Sequence, residues 1–254
     1  MFKSIQPELN QIFAHLERDY NLKSGHLSKF IPDFKESAID ETLRPGLLTL
    51  SAKIFQGFDK RCLVMAGVIA LIHLAQKIHN RIPDDCSKEV PQFPVLVGDY
   101  LFSRFFKKLS DFNLLEWLAP LASVICKMNE GGIVRREVLE HGRGREEDYS
   151  AVLYTEYGLL TGLACRIGGV LAGCSAGQAE ALEQSGLNLG MAWGTVKEHY
   201  PLIPGDFLKL ARKHLLNIPA CQERQVMMSI IDKIEEMALH QPLYPTCAAV
   251  LSSL

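Results

Sequence analysis

Apolar residues return at helical spacing along nearly the whole chain, and sustained period-two alternation is hard to find. The pattern predicts an all-α protein, with helices over 4–20, 35–56, 60–82, 95–109, 112–130, 147–173, 177–200, 206–217 and 221–240. The breaks have physical causes. Pro83, Asp84 and Asp85 open a connection that runs through Pro91 and Pro94, because proline lacks an amide donor and restricts the residue before it. Gly142 and Gly144 sit in a charged loop, and Pro201 with Pro204 and Gly205 marks another. None of these is long enough to link domains, and neither a repeat nor a low-complexity tract is visible. One helical domain over residues 1–254 is therefore expected.

Three stretches, 60–79, 157–173 and 186–196, are apolar around most of their circumference. A surface helix shows a single apolar stripe, so these three belong at the centre of a bundle. The glycines and alanines of GLLTGLACRIGGVLAG permit close helix approach and equally permit the lining of a cavity.

Composition narrows the function classes. The chain is 48% hydrophobic and 22% charged, enough to bury a substantial core. Its 27 Lys and Arg against 29 Asp and Glu leave no basic excess for a phosphate backbone, so nucleic acid is not expected as a partner. The run Cys62 to Ile72 falls well short of the ~20 residues that span a bilayer and reads as a buried helix, so no transmembrane segment is expected. The first twenty residues lack the continuous apolar stretch of a signal peptide, and a cytoplasmic location follows as an expectation. Seven scattered cysteines without a C-x-x-C pair read as free thiols.

Six blocks carry a family resemblance. ALIHLAQKIHNRIPDD resembles ELIHxASLIHDDVIDD of the trans-isoprenyl (polyprenyl) diphosphate synthases, and LVGDYLFSRFF resembles their LAGDYLLARAF. In the same order, LRPGLLTL is similar to GGKRLRPLL, NEGGIVR to CEGEILQ, YTEYGLLTGLACRIGGVLAG to KTAALFxAACxLGxLLAG, and GLNLGMAWGTVKEHY to GxxLGxAFQIxDDILD. Together they cover roughly two-thirds of the chain, far more than a lone motif. The resemblance implies an isoprenoid-synthase bundle of helices around a central apolar cavity.

It also implies a site whose chemistry this sequence alters. In the family, two aspartate-rich motifs hold magnesium ions that clamp an allylic diphosphate; aspartates at i and i+4 share a helix face, and Mg²⁺ demands hard oxygen ligands. Here the first motif is Asn80, Arg81 and Asp84, and the second is Lys197, Glu198 and Pro201; in each the formal charges cancel. Pro201 ends the helix where a third ligand would project. The lysine and arginine that grip the homoallylic diphosphate correspond to Glu41 and Arg44, and the KT pair to Glu156 and Tyr157. Two acids replacing lysines repel a diphosphate. The connection from Asp85 to Pro94 is too short for the family's arginine-rich loop, and the 53 residues after Pro201 shorten its last helices.

The surviving residues have plain readings too. Arg44 and His73 match diphosphate-binding positions, yet His73 also reads as a hydrogen-bonded core histidine and Arg44 as a helix-terminal ion-pair residue. Asp84 reads as a turn residue, and Asp99 and Tyr100 as helix braces. His79, Glu130 and Arg135 point to nothing specific. The expected function is a non-catalytic or regulatory subunit of a heterodimeric polyprenyl diphosphate synthase, with no metal on this chain and magnesium only on a catalytic partner. The alternatives are a homodimeric or stand-alone protein holding an isoprenoid or other lipid in its apolar cavity, or a residual prenyltransferase using Arg81 and Lys197.

Overall fold

The structure of the protein, a computed structural model, describes residues 2–20, 39–80, 92–141 and 144–240. Among them there are ten α-helices and no strand: α1 (Gln6–Tyr20), α2 (Ile39–Ile54), α3 (Lys60–His79), α4 (Gln92–Asp111), α5 (Leu118–His141), α6 (Glu146–Val152), α7 (Leu159–Leu171), α8 (Ala176–Glu198), α9 (Pro204–Leu215) and α10 (Gln222–Leu239). Local chemistry sets many of their ends. The Asp59 carboxylate caps α3 by accepting from the Cys62 amide at 3.0 Å. Ser175 and Gln178 form a reciprocal box at the start of α8, and Pro204 opens α9 at a position where a missing amide costs nothing.

Helices α7 and α8 form the centre. A side chain on Gly162 would run into the Glu183 carbonyl at 2.8 Å, and one on Gly186 into the Thr161 carbonyl at the same distance, so the two backbones touch. Helix α2 packs on α7, α3 packs on α2 and α4, α9 packs on α8, and α10 packs across α2 and α9. One core of Leu, Ile, Val, Met and aromatic side chains runs through all of them. The glycines expected either to close helices together or to line a cavity do the former. Helix α3 is long and apolar enough to cross a membrane by length and composition, but 89% of its apolar window is buried inside the bundle. It is a core helix. The five cysteines among the described residues form no disulfide.

Three boundaries differ from expectation. The helix expected over 112–130 is a 3₁₀ turn at Leu115–Trp117 followed by α5, which continues through Gly131 and Gly132 to His141. Thr155 packs where a side chain on Gly131 would be, so that glycine, inside the helix, serves a close contact. The helix expected over 147–173 is interrupted by one π-helical turn, Leu153–Gly158, between α6 and α7. Helix α8 stops at Glu198 because His199 takes a left-handed conformation (φ 56°), two residues before Pro201. The expected connection falls outside the described residues up to Pro91, but Pro94, its last proline, lies in the first turn of α4, where a missing amide breaks no helical hydrogen bond.

Candidate functional site

The family motifs meet at one end of the bundle, around a cavity of about 300 Å³ lined by Arg44, His73, Gln76, Lys77, Asn80, Met128, Arg135, Glu156, Tyr157, Lys197 and Glu198. Five elements deliver them: α2, α3, α5, the π turn and the end of α8. His73, Gln76, Lys77 and Asn80 are spaced i, i+3, i+4 and i+7, which places them on one face of α3. The π turn presents the successive residues Glu156 and Tyr157 to the same space, and such turns recur at functional sites.

The side chains that line this cavity are mostly polar. Four acids (Asp40, Glu41, Glu156 and Glu198) face four cations (Arg44, Lys77, Arg135 and Lys197), and they pair with one another. Asp40, buried beneath the cavity, is the hub. Its Oδ1 accepts from Trp193 Nε1 at 3.1 Å and lies 3.8 Å from Arg44 Nη1. Its Oδ2 accepts from Lys197 Nζ at 3.0 Å, with Lys77 Nζ at 3.3 Å and His73 Nε2 at 3.5 Å. Burial alone would raise this carboxyl, but His73, Arg44 and Lys197 together hold it well below the usual carboxylate range. Burial and the neighbouring Arg44 push His73 down to about 4, so the imidazole is neutral at physiological pH.

The remaining pairs close the ring. Lys77 donates to Glu41, and Arg135 Nε donates to Glu156 Oε1 at 3.1 Å. Burial raises the Glu156 carboxyl despite that arginine. The Tyr157 hydroxyl donates to Glu198 and accepts from Lys197 Nζ at 3.3 Å; burial and Glu198 push its ionisation far up, so it is a neutral donor. The Tyr157 ring packs where a side chain on Gly194 would be. Gln76 donates to Asn80 at 3.2 Å.

The expected site residues thus separate cleanly. Arg44, His73, Asn80, Lys197, Glu198, Glu41, Glu156 and Tyr157 converge, and so does Arg135, which the sequence had left without a role. Arg44 is not helix-terminal: it lies inside α2 and is 1% exposed. Pro201 is exposed beyond the end of α8, and Glu130 is exposed on α5 outside the cavity lining. Asp99 and Tyr100 belong to α4; Asp99 Oδ1 lies 3.6 Å from His79 Nε2, linking α3 to α4 away from the cavity. Arg81 and Asp84 lie outside the described residues. Sequence reading passed over Asp40, Gln76, Lys77 and Trp193. The α3 pair was visible in the helical spacing from His73, whereas Asp40 stands where the motif GGKRLRPLL carries a glycine, which gives no signal.

Against known proteins, the sequence model of the polyprenyl synthetase family matches residues 40–196, more than half of the chain. The chain belongs to that family. The octaprenyl diphosphate synthase of Escherichia coli (strain K12) is 24% identical over 166 residues, covering 61% of this chain and 51% of that protein. Heptaprenyl diphosphate synthase component 2 of Geobacillus stearothermophilus is 22% identical over 203 residues, covering 76% of this chain and 63% of that one. The chain spans about half the length of the first of these relatives. A crystal structure of a decaprenyl diphosphate synthase from Rhodobacter capsulatus superimposes with a TM-score of 0.79 at 18% identity, covering 92% of this chain and 97% of that chain. This likeness fixes the fold as that of the isoprenyl synthases. The polyprenyl synthetase match begins at Asp40 and ends one residue before Lys197, so it runs from the hub of the ion-pair cluster to its edge.

Proposed function

We propose that this chain is a non-catalytic subunit of a heteromeric polyprenyl diphosphate synthase, pairing with a homologue that carries intact aspartate motifs and all of the magnesium. The observation that carries the reading is the Lys197 ammonium, which stands at a motif aspartate's position and donates to the chain's own Asp40 at 3.0 Å. A residue meant to hold metal is instead a cation spent on an internal pair.

The donor set supports this. Magnesium, the family's metal, needs several hard oxygen ligands in near-octahedral order, and bound there it would polarise a diphosphate leaving group. At the described motif positions, Asn80 offers an amide, Lys197 a cation and Pro201 no side-chain donor; only Glu198 is a carboxylate, and it accepts from Tyr157 with Lys197 Nζ 3.6 Å away. No three His, Cys, Asp or Glu side chains converge among the described residues. These residues do not fit a magnesium cluster. The similarity to a protein named as one component of a heptaprenyl synthase supports a partnered role, in which this chain stabilises the catalytic subunit and helps set product length.

The test is a steady-state assay of the purified chain with allylic and homoallylic diphosphates and excess magnesium, alone and after co-expression with a full-motif homologue. The expected result is no product from the chain alone and a stable complex with altered product length when paired. Chelator-sensitive turnover by the chain alone overturns the reading.

A further inference from the structure

We infer that a small pocket at the start of α3, between α1 and α4, docks an acidic segment of another polypeptide: one aliphatic side chain enters the pocket and neighbouring carboxylates meet its basic rim. The pocket uses residues 60–67 of this part of the chain and the polar cavity uses residues 73–80, so the two sites have no residue in common.

A glycine marks the place. Glycine inside a helix is less stable than alanine, so it needs a reason. Gly162, Gly168 and Gly186 have one, since a Cβ on each would stand within 2.8 Å of a carbonyl oxygen. Gly67 does not: a Cβ there would meet only a Leu16 methyl group, at 3.7 Å. No neighbouring backbone demands this glycine, and the missing side chain opens a hollow onto the pocket.

Size and charge then select the occupant. The pocket measures about 50 Å³, walled by Ile12, Leu16, Leu63, Val64 and Phe112. Sites for whole small molecules run to about 300–1,000 Å³, whereas this one has room for about four water-sized groups, which is one leucine-like anchor. His15, Lys60 and Lys108 also line it, and among the described residues no acid does. Lys60 Nζ is held 5.2 Å over the Phe112 ring, so the ring stations the ammonium at the pocket wall. The rim therefore complements carboxylates on either side of the anchor. The chain's own residues 21–38, which follow α1, carry Lys23, Lys29 and Lys35 against Asp33 and Glu36, a net positive charge that the rim repels. The occupant comes from another chain.

The test titrates the full chain, by NMR chemical shifts of its backbone amides, with three acetylated and amidated tripeptides: leucine between two aspartates, alanine between two aspartates, and leucine between two lysines. The acidic leucine peptide is expected to bind about tenfold or more tightly than either of the others, shifting the amides of Leu63 and Gly67. Gly67→Leu fills the hollow from within and is expected to weaken that binding about tenfold. If it does not fold, Gly67→Ala decides: its methyl group enters open space, so it should melt no lower than the native chain and still bind about threefold more weakly. Lys60→Glu reverses a rim charge at a helix start that favours an acid, and should weaken binding about fivefold without lowering the melting temperature. Equal binding of the three peptides, binding of none, or unchanged binding by the folded Gly67 variant overturns the inference. Isovalerate binding as tightly as the acidic leucine peptide assigns the pocket to a free carboxylate and overturns it too. None of these readouts involves turnover, so their failure leaves the reading of the chain as a subunit untouched.

Discussion

Helix α8 meets the α6–α7 region twice, and the two meetings follow opposite rules. In the middle of the bundle they touch through Gly162 and Gly186, with backbone against backbone. At the cavity end, the π turn and the last turn of α8 touch through Tyr157, Lys197 and Glu198, held by charge-assisted hydrogen bonds. The first meeting keeps several residues of the resembled motifs, Cys165, Gly168 and Gly186 among them, whereas Tyr157, Lys197 and Glu198 of the second differ from the residues those motifs carry. Close packing tolerates no exchange of volume, whereas an ionic site can be rewritten if each new charge finds a partner. That is what Asp40 with Lys197, Glu41 with Lys77, and Glu156 with Arg135 accomplish.

The sharpest way to break this contrast is to insert volume at the packed end. Gly168 of α7 faces the Leu48 carbonyl of α2 without room for a Cβ, and Gly168→Val is expected to cost at least about 3 kcal/mol in denaturant unfolding. A loss below about 1 kcal/mol would show that the helices can separate freely. At the ionic end, acid should act through His73. Because burial holds the folded imidazole at about 4, below its ordinary 6.5, the unfolded chain takes up a proton that the folded chain refuses. The contribution is complete above pH 6.5 and fades as pH falls toward 4, by roughly 3 kcal/mol in all. Comparing native protein with His73→Gln by urea unfolding across that window isolates it, since the Asp40 contribution is lost only below the ordinary carboxylate range. Identical pH slopes would mean that His73 is not the responding group.

Arg135→Gln, which strips Glu156 of its partner, is expected to cost about 2 kcal/mol, less than a fully buried pair because Arg135 is partly exposed. Adding Glu156→Gln should recover most of it, and additive losses in the double-mutant cycle would deny the coupling. The smallest effect belongs to a pair outside both regions. Arg61 and Glu116 are each about half exposed, and breaking their 2.8 Å contact should change stability by under about 0.5 kcal/mol, less still in high salt.

The fold was legible because apolar periodicity survives wherever a helix has a buried face, and α3, α7 and the 186–196 stretch of α8 are apolar nearly all round. The site was legible at positions where a familiar residue had been exchanged, such as Lys197 or Glu156. It was illegible at Asp40, where the motif has only a glycine and so no chemistry to lose. Arg135 was missed for a different reason: its partner is 21 positions away across an intervening helix, and no local spacing announces the pair. The small residues of α7 and α8 left open whether they close helices together or line a cavity, and here they let backbones meet.

The π turn at Leu153–Gly158 has one more effect, on helical phase. A turn closed from i to i+5 holds one residue more than an α-turn, so everything after it is rotated by about 100° relative to the frame of α6. Glu156 and Tyr157 can thus look into a polar space while Gly162 and Gly168, a turn or more later, look at neighbouring backbones. Deleting a single residue within 153–158 would restore an unbroken α-helix and swing one of these two faces out of register. The extra residue keeps both in place.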